Sequence, residues 1–165
     1  MTSPTAGGHS THARLRRAAQ LLPLIAMAAW VVTLALPVLD SGDAAGPRIM
    51  VTSLGGQPFN LTETHPAFLL AWIGVLGCAA SVWLLRSLRW WSVATMLVAL
   101  MLGVLLLTTL VDPPSLLWDG VDEQGRPTGG YVIGQPAAGA VAWALGIGAL
   151  FAAGLCAFVT RTRQT

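Results

Sequence analysis

The chain has 165 residues, 55% of them hydrophobic and only 10% charged, with a net charge of +2. A soluble domain carries about 25% charged residues, so a water-soluble globule is a poor destination for this composition. The nine basic residues are all arginines, too few and too scattered for a nucleic-acid surface.

Residues 1–17 read as a disordered basic cytoplasmic tail, without periodicity over 1–13. His9 and His12 fall there and read as solvated, not as metal ligands. Residues 18–39 then run without a charged side chain, as do 64–85 and 90–111. About 20 apolar residues cross a bilayer core of roughly 30 Å. The first span is predicted over 18–39, with Pro23 and Pro37 in terminal turns, where a missing backbone donor costs little. Its basic start is that of a signal peptide, but the apolar run exceeds the 7–15 residues of an h-region and no convincing cleavage site follows. An uncleaved anchor is expected.

In the first loop, residues 48–62 carry Gly55-Gly56 between β-branched and aromatic residues, a hairpin signal. The second span is predicted over 66–85, opened by Pro66, with Thr64 as its cap and His65 as an interfacial histidine. Arg86-Ser87-Leu88-Arg89 is so short a link that spans two and three must be antiparallel neighbours. Trp90-Trp91 reads as an interfacial anchor pair. The third span, 90–111, stops at Asp112-Pro113-Pro114. Residues 116–133 form a second hairpin candidate around Glu123-Gln124-Gly125-Arg126-Pro127, and the two hairpins could pack together as a small cap. The fourth span, 136–160, is opened by Pro136, and 161–165 is a second cytoplasmic tail.

The charges fix an expected topology. All seven acids (Asp40, Asp43, Glu63, Asp112, Asp119, Asp122, Glu123) fall in the two loops that follow spans one and three. Seven arginines (Arg14, Arg16, Arg17, Arg86, Arg89, Arg161, Arg163) fall at the other ends of the spans. Arginine favours the cytoplasmic side, so both termini are expected inside and both loops outside. The fold class is therefore an all-α membrane protein: an up-down bundle of four transmembrane helices with two short extracytoplasmic β-hairpin-like loops. Absence of lysine, with abundant alanine, glycine and arginine, suggests a GC-rich bacterial genome and a bacterial plasma membrane.

No Asp, Glu, Lys, Arg or His lies deep in any span. Intramembrane ionisable groups mark ion paths and proton relays, so their lack weighs against a pump. The hydroxyls of Thr33, Ser81, Thr95, Thr108 and Thr109 can bond back to helix carbonyls. Cys78 and Cys156 lie within spans and read as small apolar fillers. Ala138, Ala142, Gly146 and Gly154 recur at i+4 steps interrupted by Leu150, and Gly77 and Ser81 share that spacing, with Gly74 nearby; this is a candidate helix-packing seam. Trp118, Asp119, Asp122 and Glu123 form an aromatic and acidic cluster, a candidate partner contact. It lacks the full 12-residue calcium-loop pattern. No catalytic residue, cofactor-binding motif or metal site is predicted.

Four spans with a first outer hairpin resemble the layout of claudin-like proteins, whose two outer cysteines this chain lacks. The plan is also similar in layout to small actinobacterial four-span proteins. No motif transfers residues from either. The expectation is a non-catalytic accessory or scaffold subunit of a larger membrane complex, contacting the lipid bilayer, other membrane subunits or copies of itself. The alternative is a small oligomeric transporter or lipid carrier with a polar seam of Thr33, Thr95 and Thr108.

Overall fold

The computed structural model describes residues 7–42, 47–60, 64–84, 88–120, 124–126 and 128–162. Four helices carry the chain: α1 (Gly7–Ala35), α2 (Pro66–Leu84), α3 (Leu88–Val111) and α4 (Ala138–Thr162). Each contains a stretch long and apolar enough to cross a membrane. They pack in a ring, α1 against α2, α2 against α3, α3 against α4 and α4 against α1.

The buried positions show how the ring closes. In α1 they are Ala19, Pro23, Ala26, Trp30 and Thr33; in α2, Ala71, Val75, Cys78, Ala79 and Val82. In α4 they include Gly139, Trp143, Gly146, Leu150, Ala153 and Ala157. Apart from Ala79 and Gly154, which directly follow buried neighbours, steps alternate between four and three residues, the heptad spacing of left-handed helix packing. The remaining faces expose Leu, Ile, Val and Phe, an apolar surface of the kind that lipid tails can solvate.

Three details depart from the sequence reading. Helix α1 starts at Gly7, so residues 7–17 are helical and not a disordered tail. Ala13, Arg14, Leu15, Arg16 and Arg17 are good helix formers, and a helix whose apolar part is already held by packing extends through them into the weaker formers at 7–12 without a new nucleation step. Pro23 consequently lies inside the helix, buried, and not in a terminal turn. Pro136 does not open span four; it belongs to a strand, and α4 begins two residues later.

Six short strands join the helices at one end of the bundle: β1 (Leu39–Asp40), β2 (Met50–Thr52), β3 (Gly55–Gln57), β4 (Ser115–Trp118), β5 (Gly130–Ile133) and β6 (Gln135–Pro136). Strands β4 and β5 pair antiparallel, Leu116 opposite Val132, as the predicted second hairpin. The first hairpin is also present, β2 with β3, but its turn is Ser53-Leu54. Gly55-Gly56 instead begin the returning strand. Neither Ser53 nor Leu54 has positive φ; Gly55 takes φ +99°, the conformation only glycine adopts freely. Thr52 Oγ1 accepts the Leu54 amide at 3.2 Å and fixes this turn.

The two loops share one sheet, although the β4–β5 hairpin stands apart from it. Strand β1 pairs on one side with β2 and on the other with β6, giving a sheet of order β3-β2-β1-β6. Leu39, just past α1, lies opposite Pro136, just before α4. Proline is tolerated there because β6 is an edge strand. Backbone bonds continue the pairing, Ala137 N–H to Val38 O at 2.9 Å and Gly139 N–H to Pro37 O at 2.9 Å. The first and fourth helices are thus clamped together by main chain.

Candidate functional site: the sealed end of the bundle

Beneath the sheet lies an aromatic plug. Trp30 meets Trp143 edge-on at 4.5 Å between ring centroids, Trp72 meets Trp30 at 6.3 Å, and Phe68 meets Trp143 at 6.2 Å. These rings come from α1, α2 and α4, so one cluster ties three helices. Trp30 and Trp143 are essentially inaccessible. Their indole N–H groups are buried without a hydrogen-bond partner. Edge-to-face packing sets the positive edge of one ring against the negative face of its neighbour, which offsets part of that cost.

The turn of the first hairpin closes the plug. Ser53 is fully buried; its hydroxyl donates to Trp30 O at 3.4 Å and its carbonyl accepts Trp72 Nε1–H at 3.1 Å. Thr33 Oγ1–H donates to Trp30 O at 2.6 Å. Ser53, Thr33 and Trp72 thus bond to backbone at this depth, while the indole N–H groups of Trp30 and Trp143 rely on ring packing alone.

The threonines do not line up as a polar seam. Thr33 and Thr95 are buried in the interior, but Thr108 is exposed and donates to Leu105 O. The predicted tryptophan pair also divides. Trp90 points outward, 73% exposed, whereas Trp91 is buried and donates to Cys78 O at 3.2 Å. Adjacent helical residues are about 100° apart, so both could not share one face. At the start of α2, His65 and not Thr64 caps the helix, its Nδ1 accepting the Ala67 amide at 3.3 Å. Thr64 Oγ1 donates to Asn60 O instead.

The candidate small-residue seam is divided, some of its positions facing a neighbouring helix of the bundle and others facing outward. Gly146 faces Ala26 and Ala29 of α1, where an added Cβ would meet Ala26 O at 3.5 Å. Gly154 faces α3, where a Cβ would stand 2.8 Å from Met96 Cγ. Ala138 is exposed, Ala142 half-buried and Ser81 half-buried, and Gly77 faces open space. Four residues turn a helix by about 400°, so a strict i+4 row drifts off the contact line. The closest approach is at Gly139, which that row omits; a Cβ there would stand 2.5 Å from Pro37 O. Only its place beside a helix start could have hinted at it.

Of the acidic cluster, Asp119 is exposed just past β4. Asp122 and Glu123 lie outside the described residues, and Trp118 is placed only as the last residue of β4. No group of three His, Cys, Asp or Glu that could hold a metal occurs among the described residues. One ion pair was missed: Arg48 holds the Asp40 carboxylate through both its Nε, at 2.9 Å, and an Nη. It braces the link between β1 and β2. The Arg48 guanidinium, with help from the Gly42 amide, outweighs desolvation and holds the Asp40 carboxyl below its usual range.

Compared with known proteins, the chain matches no family model, no curated protein and no solved structure.

Proposed function

We propose that this chain is a non-catalytic accessory or scaffold subunit of a larger complex in a bacterial plasma membrane. Its four helices cross the bilayer, both termini lie on the cytoplasmic side, and the joined sheet projects outside. Segregation of arginines to the ends opposite the sheet supports this orientation.

The observation that carries the reading is the filled interior. Tryptophans, alanines and leucines occupy the bundle axis, and the Ser53 turn seals one end. Such a molecule offers surfaces rather than a passage. Its rigid sheet and its outward Gly77, where another helix backbone could approach closely, are the surfaces it offers. A carrier would need its path between copies, because one copy has none along its axis.

Purification of tagged protein from its native membrane in mild detergent, with mass analysis, tests the proposal. A stoichiometric membrane partner that survives washing is expected. A homogeneous homo-oligomer without a partner would overturn the accessory reading in favour of the carrier.

A further inference from the structure

The β4–β5 hairpin pairs with no other strand among the described residues. Its register sets Ser115 opposite Ile133 and Leu117 opposite Tyr131, so these four side chains share one face. The other face turns inward at Val132, which is buried. The first face is open: Leu117 is 82% exposed, Tyr131 59% and Ile133 42%. Neither strand contains a charged residue. An antiparallel pair with one face packed and the other in water alternates apolar with polar residues. This one carries apolar side chains on both faces. Two strands alone are also marginal in water, so covering the open face would stabilise the hairpin.

What lies beside that face follows from where the hairpin is attached. The apolar stretch of α3, Trp90–Val111, has 22 residues and rises about 33 Å; that of α4, Ala138–Thr160, has 23 and rises about 35 Å. Each matches an acyl core of roughly 30 Å, so in a chain of four crossings Val111 and Ala138 both stand near its surface. Ser115 follows Val111 by four residues and Ile133 precedes Ala138 by five. Fully extended links of that length reach at most about 14 Å and 18 Å. The links are folded back further. Gly134 N–H donates to Pro114 O at 3.1 Å and closes the base of the hairpin. A Cβ on Gly134 would stand 3.3 Å from Leu39 Cβ, on the strand that pairs with β6 just before α4. The hairpin therefore emerges at the level of the polar layer, which adds roughly 5–8 Å outside the core. Leu107 and Val111, in the last turns of α3, are exposed as well, so the apolar surface leading to the hairpin is that of a lipid-facing helix. Tyr131 is the chain's single tyrosine. An apolar ring with a polar tip suits the bilayer interface.

We propose that the open face of the β4–β5 hairpin docks on the lipid surface of its own membrane. Leu117 and Ile133 enter the boundary between headgroups and acyl chains, and the Tyr131 hydroxyl stays among the wet headgroups. This rests on the membrane-spanning reading and not on the accessory role; a chain without a partner protein would still be docked.

The test uses full-length protein carrying Cys78→Ala and Cys156→Ala, with a nitroxide on one new cysteine, reconstituted in phosphatidylcholine bilayers. Collision rates with oxygen, which concentrates in lipid, are compared with those of a water-soluble nickel chelate. Leu117→Cys and Ile133→Cys report the face. Gly56→Cys, exposed in β3 with nothing within 4 Å of its Cβ position, is the aqueous standard. Ile73→Cys, 66% exposed midway along α2, is the lipid standard. The ratio of oxygen to nickel collisions at Leu117 and Ile133 is expected to exceed that at Gly56 several-fold and to fall below that at Ile73. Ratios equal to Gly56, beside a lipid-facing Ile73, would overturn the docking alone. Loss of collisions with both reagents at Leu117 would overturn it in favour of a second copy or another protein on this face. An aqueous Ile73 would overturn the membrane-spanning reading and the docking with it.

Discussion

Gly139→Ala probes the clamp between α1 and α4 with a single methyl group. The added carbon would stand 2.5 Å from Pro37 O and closer still to Leu36 O, whereas ordinary contact begins near 3.4 Å. Both obstacles are backbone, so no side chain can swing aside. Relief requires the two helix ends to part by about 1 Å, which well-packed interiors resist. That shift would also stretch the Gly139 N–H bond to Pro37 O, now 2.9 Å, beyond hydrogen-bonding range. Overpacking costs about 1–3 kcal/mol, and the lost bond about 0.5–1.5 kcal/mol. The better helix propensity of alanine returns at most about 1 kcal/mol. The net expectation is a loss of about 2–3 kcal/mol. Gly148→Ala is the matched control, since nothing lies within 4 Å of its Cβ position. Thermal unfolding in detergent, followed by tryptophan fluorescence, should place Gly139→Ala well below wild type and Gly148→Ala at or above it. A Gly139→Ala protein as stable as the Gly148→Ala control would refute the close approach.

Trp143→Ala removes the ring shared by the three-helix plug and should cost about 3–5 kcal/mol, with loss of the near-ultraviolet circular dichroism of the packed indoles. Gly55→Ala places a side chain at φ +99° with Thr64 Cγ2 at 3.3 Å. It should destabilise by about 1–2 kcal/mol, seen as faster amide exchange in β2 and β3. Asp40 has a depressed folded carboxyl pKa, so its contribution is complete above the ordinary carboxylate range and falls as pH drops through the lowered value. Arg48 is 57% exposed, so this pair is worth only about 0.2–1 kcal/mol. Stability of wild type and Arg48→Gln should therefore converge in acid and differ modestly at neutral pH, and a gap that widens on acidification would contradict the pairing.

Much of the helix layout was legible because it depends on length and on the absence of charge. Predicted spans at 66–85, 90–111 and 136–160 agree within two residues with α2, α3 and α4. The start of α1 was missed because the membrane criterion says nothing about where a helix ends in water. Both hairpins were visible as glycine-marked turns between β-formers, although Gly55 supplies positive φ after the turn and not within it. Pairing of Leu39 with Pro136 had no local signal, since the residues are nearly a hundred positions apart. Alanines and glycines are so frequent in α4 that several registers look alike, and only the neighbouring helices select which of them pack inside the bundle. Tryptophans at 30, 72 and 143 gave no hint of meeting until helix order and rotation were known.

An accessory role with an outer sheet requires four crossings with both loops on one side. Cysteine accessibility tests this directly, in intact cells and on a background carrying Cys78→Ala and Cys156→Ala. Single cysteines at Arg48, Asp119 and Tyr131 report the two loops, and one at Arg14 reports the opposite end. The account predicts labelling by a membrane-impermeant maleimide at the three loop positions, and at Arg14 only after the membrane is opened. Labelling of the two loops from opposite sides, or of Arg14 together with the loops in intact cells, would contradict it.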